Sequence, residues 1–308
     1  MTTNRWLVGV LVVLGAGWGL TQPLAKIAVS QGYQPFGLIF WQLVIGAAAM
    51  GAITVWRGKK LPVNAATLRV FVVIAVVGTV LPNATSYKAI AHLPSGLISI
   101  LLSTVPMFAF PIALMLGAER FSRRRLSGLM LGLLGVVILV APEASLPEAA
   151  MIAWVPLALV APFFYGMEGN IVAKWGTAGM DAMQVLAGAS IAGAIIALPL
   201  AWGSGQWINP IKPWGAPEWA LVAGSLVHVA VYAGYVWLVG RAGPVFAAQV
   251  SYLVTCFGVV WAMVLLGERY SGYIWLAGIV MILGVAMVQP RRQSAVKSGM
   301  PLKASEHD

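Results

Sequence analysis

Polar and aromatic residues able to recognise a solute recur at helical spacing inside stretches that are otherwise apolar. Trp18, Gln22 and Lys26 stand at i, i+4 and i+8; Tyr165 and Glu168 stand at i, i+3, with Asn170 and Lys174 further along. Thr79, Asn83 and Tyr87 repeat the first spacing, and His228, Tyr232 and Tyr235 fall on successive turns of a later stretch. In an α-helix such spacing puts each set on one face. A carboxylate there can hold a cation or a proton, amides and hydroxyls can orient a polar solute, and rings such as Trp18 and Trp237 can wall in an organic one. His228 can take a polar ligand or relay protons, and can equally be a neutral hydrogen-bonded link between helices. Ser99 and Ser103, then Ser251, Tyr252 and Thr255, either line the same path or bond across to a neighbour. No second histidine or carboxylate stands at ligand spacing from His228, so no metal is expected. Neither G-x-S-x-G nor H-E-x-x-H occurs, nor a G-x-x-x-x-G-K-[ST] loop, so no catalytic residue, ATP chemistry or cofactor is expected.

These residues need a scaffold, and composition says which. Sixty per cent of the 308 residues are apolar and 9% are charged, against roughly 25% charged in a soluble domain. A soluble protein of this length has too little interior to hide that much apolar surface. The chain therefore sits in a lipid bilayer, where an ionisable side chain is costly and marks function by default. Glu168 is the leading site residue on that ground, the alternative being a Glu–Lys pair that ties helices together. The net charge of +10 lies in short loops, as membrane topology requires, and implies no nucleic-acid partner. The lone Cys256 excludes a disulfide framework.

A bilayer takes about 20 apolar residues per helix. Ten such stretches can be read: Trp6–Ala28, Pro35–Trp56, Leu68–Ile90, Leu97–Leu116 and Leu126–Val140, then Ile152–Lys174, Ala182–Trp202, Trp219–Val239, Val245–Leu266 and Gly272–Val288. With the N-terminus in the cytoplasm, all of the 19 lysines and arginines except Lys26, Lys88, Lys212 and Arg269 fall on the inner side. Both termini are then cytoplasmic. Trp6, Trp56, Trp202, Trp207, Trp214 and Trp219 are read as interfacial anchors. Pro23 and Pro162 should weaken their helices locally, Pro106 and Pro111 should bend the fourth, and Gly128, Gly132 and Gly135 should mark a close helix contact.

Glu119-Arg120-Phe121-Ser122 returns 149 residues later as Glu268-Arg269-Tyr270-Ser271, and Leu134-Gly135-Val136 as Leu283-Gly284-Val285. A chain that repeats at half its length is two copies of one unit. Five spans per unit inverts the second copy, giving an all-α membrane protein of ten helices as two inverted five-helix repeats around a central cavity. The expected division is 1–140, a loop 141–150, 151–289, and a disordered cytoplasmic tail 290–308. Glu119 and Glu268 read as structural, pairing locally or binding helix ends at the joint between the last two helices of each half.

These features together resemble the drug/metabolite transporter superfamily and, within it, the ten-span EamA-type permeases. The carriers are the paired five-span halves, Ala118-Glu119-Arg120 with Gly267-Glu268-Arg269, and Trp18-Gly19 with Lys26. The resemblance covers residues 6 to 288. Trp41-Gln42 departs from the arginine that many members carry in the second span. The resemblance implies a secondary transporter of the bacterial inner membrane. It would export amino acids, aromatic or otherwise neutral, and related metabolites by alternating access, as a monomer. Cationic drugs, or nucleotide sugars and phosphate esters, are the alternative substrates, and a channel is a further one. The residues expected at the substrate are Trp18, Gln22, Asn83, Tyr87, Ser103, Tyr165, Glu168, His228, Tyr232, Tyr235 and Tyr252.

Overall fold

In hydrocarbon a backbone has no water to bond, so an apolar stretch must satisfy its own amides as a helix. The computed structural model describes residues 5–140, 148–242, 244–247 and 249–288, and among these there is no strand. In the first half α1 is Arg5–Val29, α2 Pro35–Trp56, α3 Ala65–Val73 and α4 Leu81–His92. These are followed by α5 Ser95–Leu102, α6 Val105–Met115 and α7 Arg123–Val140. In the second half a 3₁₀ turn, Ala149–Trp154, leads into α8 Val155–Trp175. Then come α9 Ala182–Gly203, α10 Ala216–Ala242, the short α11 Pro244–Ala247, α12 Val250–Leu266 and α13 Gly272–Val288. Among the described residues, seven helical segments are long and apolar enough to cross a membrane, α12 and α13 being shorter apolar helices. The 290–308 tail and most of the 141–150 loop lie outside the described residues.

Two interruptions have local causes. A π-helical segment, Ile74–Val80, joins α3 to α4. Leu81 N–H bonds the Val76 carbonyl, five residues back, and Pro82 next along has no N–H to offer. Thr79 lies within this π segment, while Asn83 and Tyr87 lie beyond it on α4. The fourth span breaks between α5 and α6 at Ser103–Thr104, ahead of Pro106 in the first turn of α6. That is the bend its prolines predict. Pro23 and Pro162, by contrast, lie inside unbroken helices.

The principal helix contacts cross between the halves: α7 with α13, α2 with α9, α1 with α10 and α12, and α8 with α4 and α6. Missing side chains let these pairs close. A Cβ on Gly128 would sit 2.6 Å from the Gly284 carbonyl, and one on Gly135 would sit 2.6 Å from Met281 Cγ. On Gly19 it would sit 2.7 Å from the Gly258 nitrogen. Gly128 and Gly135 thus lie at the α7–α13 contact and Gly132 against Met107 of α6, so the stripe marks close helix approach as its spacing predicts.

Polar side chains tie the loops at each end. At one end Asp181 caps α9 through Gln184 N–H at 3.0 Å and pairs with Lys59 at 2.7 Å and Arg57 at 3.2 Å. At the other, Gln206 Oε1 accepts from Phe36 N–H at 2.9 Å and Trp41 Nε1 donates to Ile208 O at 3.0 Å. There Glu218, buried in the first turn of α10, accepts from Tyr33 and from Gly215 N–H at 2.8 Å, and pairs with Lys212 at 3.0 Å. Trp237 is not part of an inner aromatic wall: it is 45% exposed and stacks on Trp6 at 5.4 Å, because its turn of α10 faces outward beside the start of α1.

Gly128→Ala drives a methyl into backbone that cannot yield. It is expected to cost about 1–3 kcal/mol, read as a fall in melting temperature of the detergent-solubilised protein. Gly51→Ala, with nothing within 4 Å of the added Cβ, should be neutral. A second measurement concerns Asp181. Burial would raise its pKa, but the Lys59 bond, the Gln184 N–H and the Arg57 charge outweigh that and hold it below the ordinary 3.8. A carboxylate depressed in the folded state stabilises above its unfolded pKa and loses that contribution as pH falls through the folded one. The gap in melting temperature between wild type and Asp181→Asn should hold near neutrality and close below about pH 4. A gap that persists in acid removes the charge from the explanation.

Candidate functional site

Glu168 lies on α8 in the second half, and the backbone beneath it belongs to the first. A Cβ on Gly78, in the π segment, would overlap both carboxylate oxygens, so the absence of that side chain makes room for the acid. Although part of its surface stays open, Glu168 is enclosed by protein on most sides. Among the described residues no salt bridge or hydrogen bond reaches its carboxylate, and Lys174, on its own helix, is not paired with it. Tyr165 and Tyr232 lie within its electrostatic reach.

Two groups of side chains flank it. On one side α4 presents Asn83 and Tyr87 to Gln42 of α2. Tyr87 Oη donates to Gln42 Oε1 at 2.8 Å, and Asn83 Nδ2 donates to the same oxygen at 3.3 Å. Tyr165 Oη of α8 then donates to Asn83 Oδ1 at 3.0 Å, so one relay of hydrogen bonds crosses between the halves. On the other side Trp18 Nε1 of α1 donates to His228 Nδ1 of α10 at 3.2 Å. A ring nitrogen that accepts carries no proton, so the imidazole is neutral here with its hydrogen on Nε2. The same indole lies edge-on to Tyr232 at 6.1 Å and Tyr235 at 5.5 Å.

The structure therefore gathers Trp18, Asn83, Tyr87, Tyr165, Glu168, His228, Tyr232 and Tyr235 about the seam between the halves. Three expected members stand apart from these bonds. Gln22 Nε2 reaches its neighbour Thr21 Oγ1 at 3.5 Å, and Ser103 Oγ donates to Ile100 O at 2.7 Å beside the break in the fourth span. Tyr252 packs on the apolar cluster of Met107, Phe110, Val285 and Val288. Gln22 and Ser103 thus take partners their own segments supply, while Tyr252 packs against α6 and α13. Two participants were missed: Gln42, the shared acceptor, and Gly78, the seat of the acid. An amide in an otherwise apolar second span was the available signal for the first. Nothing in the sequence marked the second.

Lys26 is used elsewhere. Its Nζ donates to the carbonyls of Ile90, Ala91 and Leu93, closing the C-terminus of α4. The repeated glutamates do not pair with the adjacent arginines. Glu119 pairs with Arg125 at 2.9 Å. Glu268 accepts from the backbone N–H of Ser95 at 2.8 Å and Gly96 at 3.2 Å, so it joins the other half rather than its own last two helices.

The sequence pattern of the EamA-like transporter family matches residues 5–141 and again residues 152–289. A "Probable amino-acid metabolite efflux pump" of Salmonella typhimurium (strain LT2) is 29% identical over 213 residues, 62% of this chain and 66% of that relative. The "Uncharacterized inner membrane transporter YedA" of Escherichia coli (strain K12) is 22% identical over 291 residues, 92% of this chain and 90% of that one. A solved crystal structure, 20% identical, shares the fold with a TM-score of 0.58 over 90% of this chain and 96% of its own.

Gln42→Leu leaves two buried donors without an acceptor and should cost about 1–3 kcal/mol of stability in detergent. Adding Tyr87→Phe removes one of the orphans and should recover part of that loss. Strict additivity of the two substitutions would mean that the bond contributes nothing.

Proposed function

The chain belongs to the EamA-like transporter family, and we propose that it exports amino acids, aromatic or otherwise neutral, and related small metabolites across the bacterial inner membrane. In this reading the two matched segments are inverted five-helix repeats forming ten spans, with both termini cytoplasmic. The substrate crosses by alternating access between the halves of a monomer. The family membership and the printed names of two distant relatives support export at an inner membrane.

One observation carries the substrate class. Glu168 is a carboxylate without an ion pair among the described residues, seated on Gly78 between aromatic rings and an amide–tyrosine relay. A carboxylate so placed binds the ammonium of an amino acid, while the rings of Trp18, Tyr232 and Tyr235 take an apolar side chain. The Nε2–H of His228 and the amide N–H groups of Gln42 face the substrate carboxylate. Gln22, Ser103 and Tyr252 enter this proposal only through movement of their helices. The same carboxylate and rings favour a second reading, export of organic cations, because a cation over an aromatic face needs no carboxylate partner. Phosphate esters are disfavoured, since Lys26, on the helix of Trp18, is committed to backbone carbonyls.

Counterflow into proteoliposomes decides among these. Labelled phenylalanine, a quaternary amine and a phosphate ester are compared with and without a pH gradient. Exchange of the amino acid is expected, with Glu168→Gln and Gly78→Ala each lowering it at least about tenfold, the loss of one charged hydrogen bond. Exchange confined to the quaternary amine establishes the second reading, and exchange confined to the phosphate ester overturns both.

A further inference from the structure

We infer that Glu268 is the latch that holds one end of the path shut, and that its repeat Glu119 is disengaged from that role in this structure. The transporter reading enters only in what the opening serves.

Glu268 stands in the loop between α12 and α13, in the second half, and its carboxylate takes the first two N–H groups of α5 in the first half. Tyr270 Oη donates to the same carboxylate at 2.5 Å, over Gly96, where a Cβ would overlap the Tyr270 hydroxyl. Lys26 of α1 takes the last carbonyls of α4, at 2.6 Å from Ile90 and 3.0 Å from Leu93. The turn between α4 and α5 is thus gripped from both sides. An anion sits on a helix N-terminus and a cation on a helix C-terminus, the signs each helix dipole favours, and the two charges attract across the turn. One turn further in, α5 lies on α12 so closely that a Cβ on Gly258 would overlap Ser99 Oγ. Separating α5 from α12 therefore requires Glu268 to release its two N–H groups.

The other copy of the motif does something different. Glu119 pairs with Arg125, and both belong to the first half. Beside this pair an open cleft of about 200 Å³ runs between Ala109, Phe110 and Ala113 of α6, Asn170 of α8 and Val288 of α13. The same tetrapeptide clamps across the halves at one end and stays within one half at the other. A two-ended path with one end shut and the other open needs that asymmetry.

The test reads accessibility and needs no substrate. In a Cys256→Ser background, Ser99→Cys reports the latched seam and Ala113→Cys reports the cleft. Each protein is placed in nanodiscs, with both faces open to a bulky maleimide. With Glu268 intact, Ala113→Cys should label faster than Ser99→Cys. Adding Glu268→Gln should raise labelling of Ser99→Cys at least about fivefold and lower that of Ala113→Cys, as a shift between two populations demands. Glu268→Asp should restore part of the protection, and Glu119→Gln should leave the Ser99→Cys rate unchanged. An unchanged Ser99→Cys rate overturns the latch, as does a parallel rise at both reporters, which would make Glu268 a stabilising cap alone. An equal effect of Glu119→Gln overturns it too. A protein that labels as expected yet moves no solute in proteoliposomes keeps the latch and loses the transport reading.

Discussion

Hydrocarbon offers a helix end nothing to bond, and this fold depends on how its broken ends are satisfied. Where a crossing is interrupted or turns back sharply, it exposes amides or carbonyls that must find partners inside the protein. Lys26 bonds three carbonyls where α4 ends, Glu268 bonds two N–H groups where α5 begins, and Asn170 Nδ2 reaches the Ala109 carbonyl at 2.9 Å. Asp181 and Asn64 do the same at the ends of α9 and α3 through reciprocal capping boxes. The rare charges of the chain are placed largely by this demand. Glu168 stands out because no helix end claims it.

The same demand explains why the halves interleave. Each backbone satisfies itself along its own helix, so helices adhere through close packing and a few hydrogen bonds rather than through exclusion of water. Gly19 against Gly258 and Gly128 against Gly284 bring backbone to backbone across the halves. The candidate site then lies on a seam both halves build, with the acid from one and its glycine seat from the other.

Much of this was legible beforehand. Apolar length and composition located the helices to within a few residues, and the glycine stripe marked the fifth span as a site of close helix contact. Helical spacing gathered eight of the candidate residues, because a face that is polar inside lipid has few reasons to be so. The misses share a cause. The π segment arises from a register choice near Pro82 and has no periodic signature. Gly78 matters for what it lacks. Trp237 was assigned from depth along the helix, and depth says nothing about which way a turn faces. The two glutamates repeat in sequence but differ in partner, because a partner from another helix is not written in the local motif.

The break at Ser103–Thr104 has a mechanical consequence. At 8 and 11 residues, α5 and α6 are each too short to cross a bilayer that needs about 20, so one crossing is divided between two stiff rods meeting at a fulcrum. The α5 rod is fastened where Glu268 grips it, and the α6 rod forms a wall of the cleft at the opposite face. The joint lets the two rods take different tilts, while the backbone through Ser103–Thr104 still ties a change at one end to the other. A single span in this way presents two differently anchored rods to the two sides of the membrane.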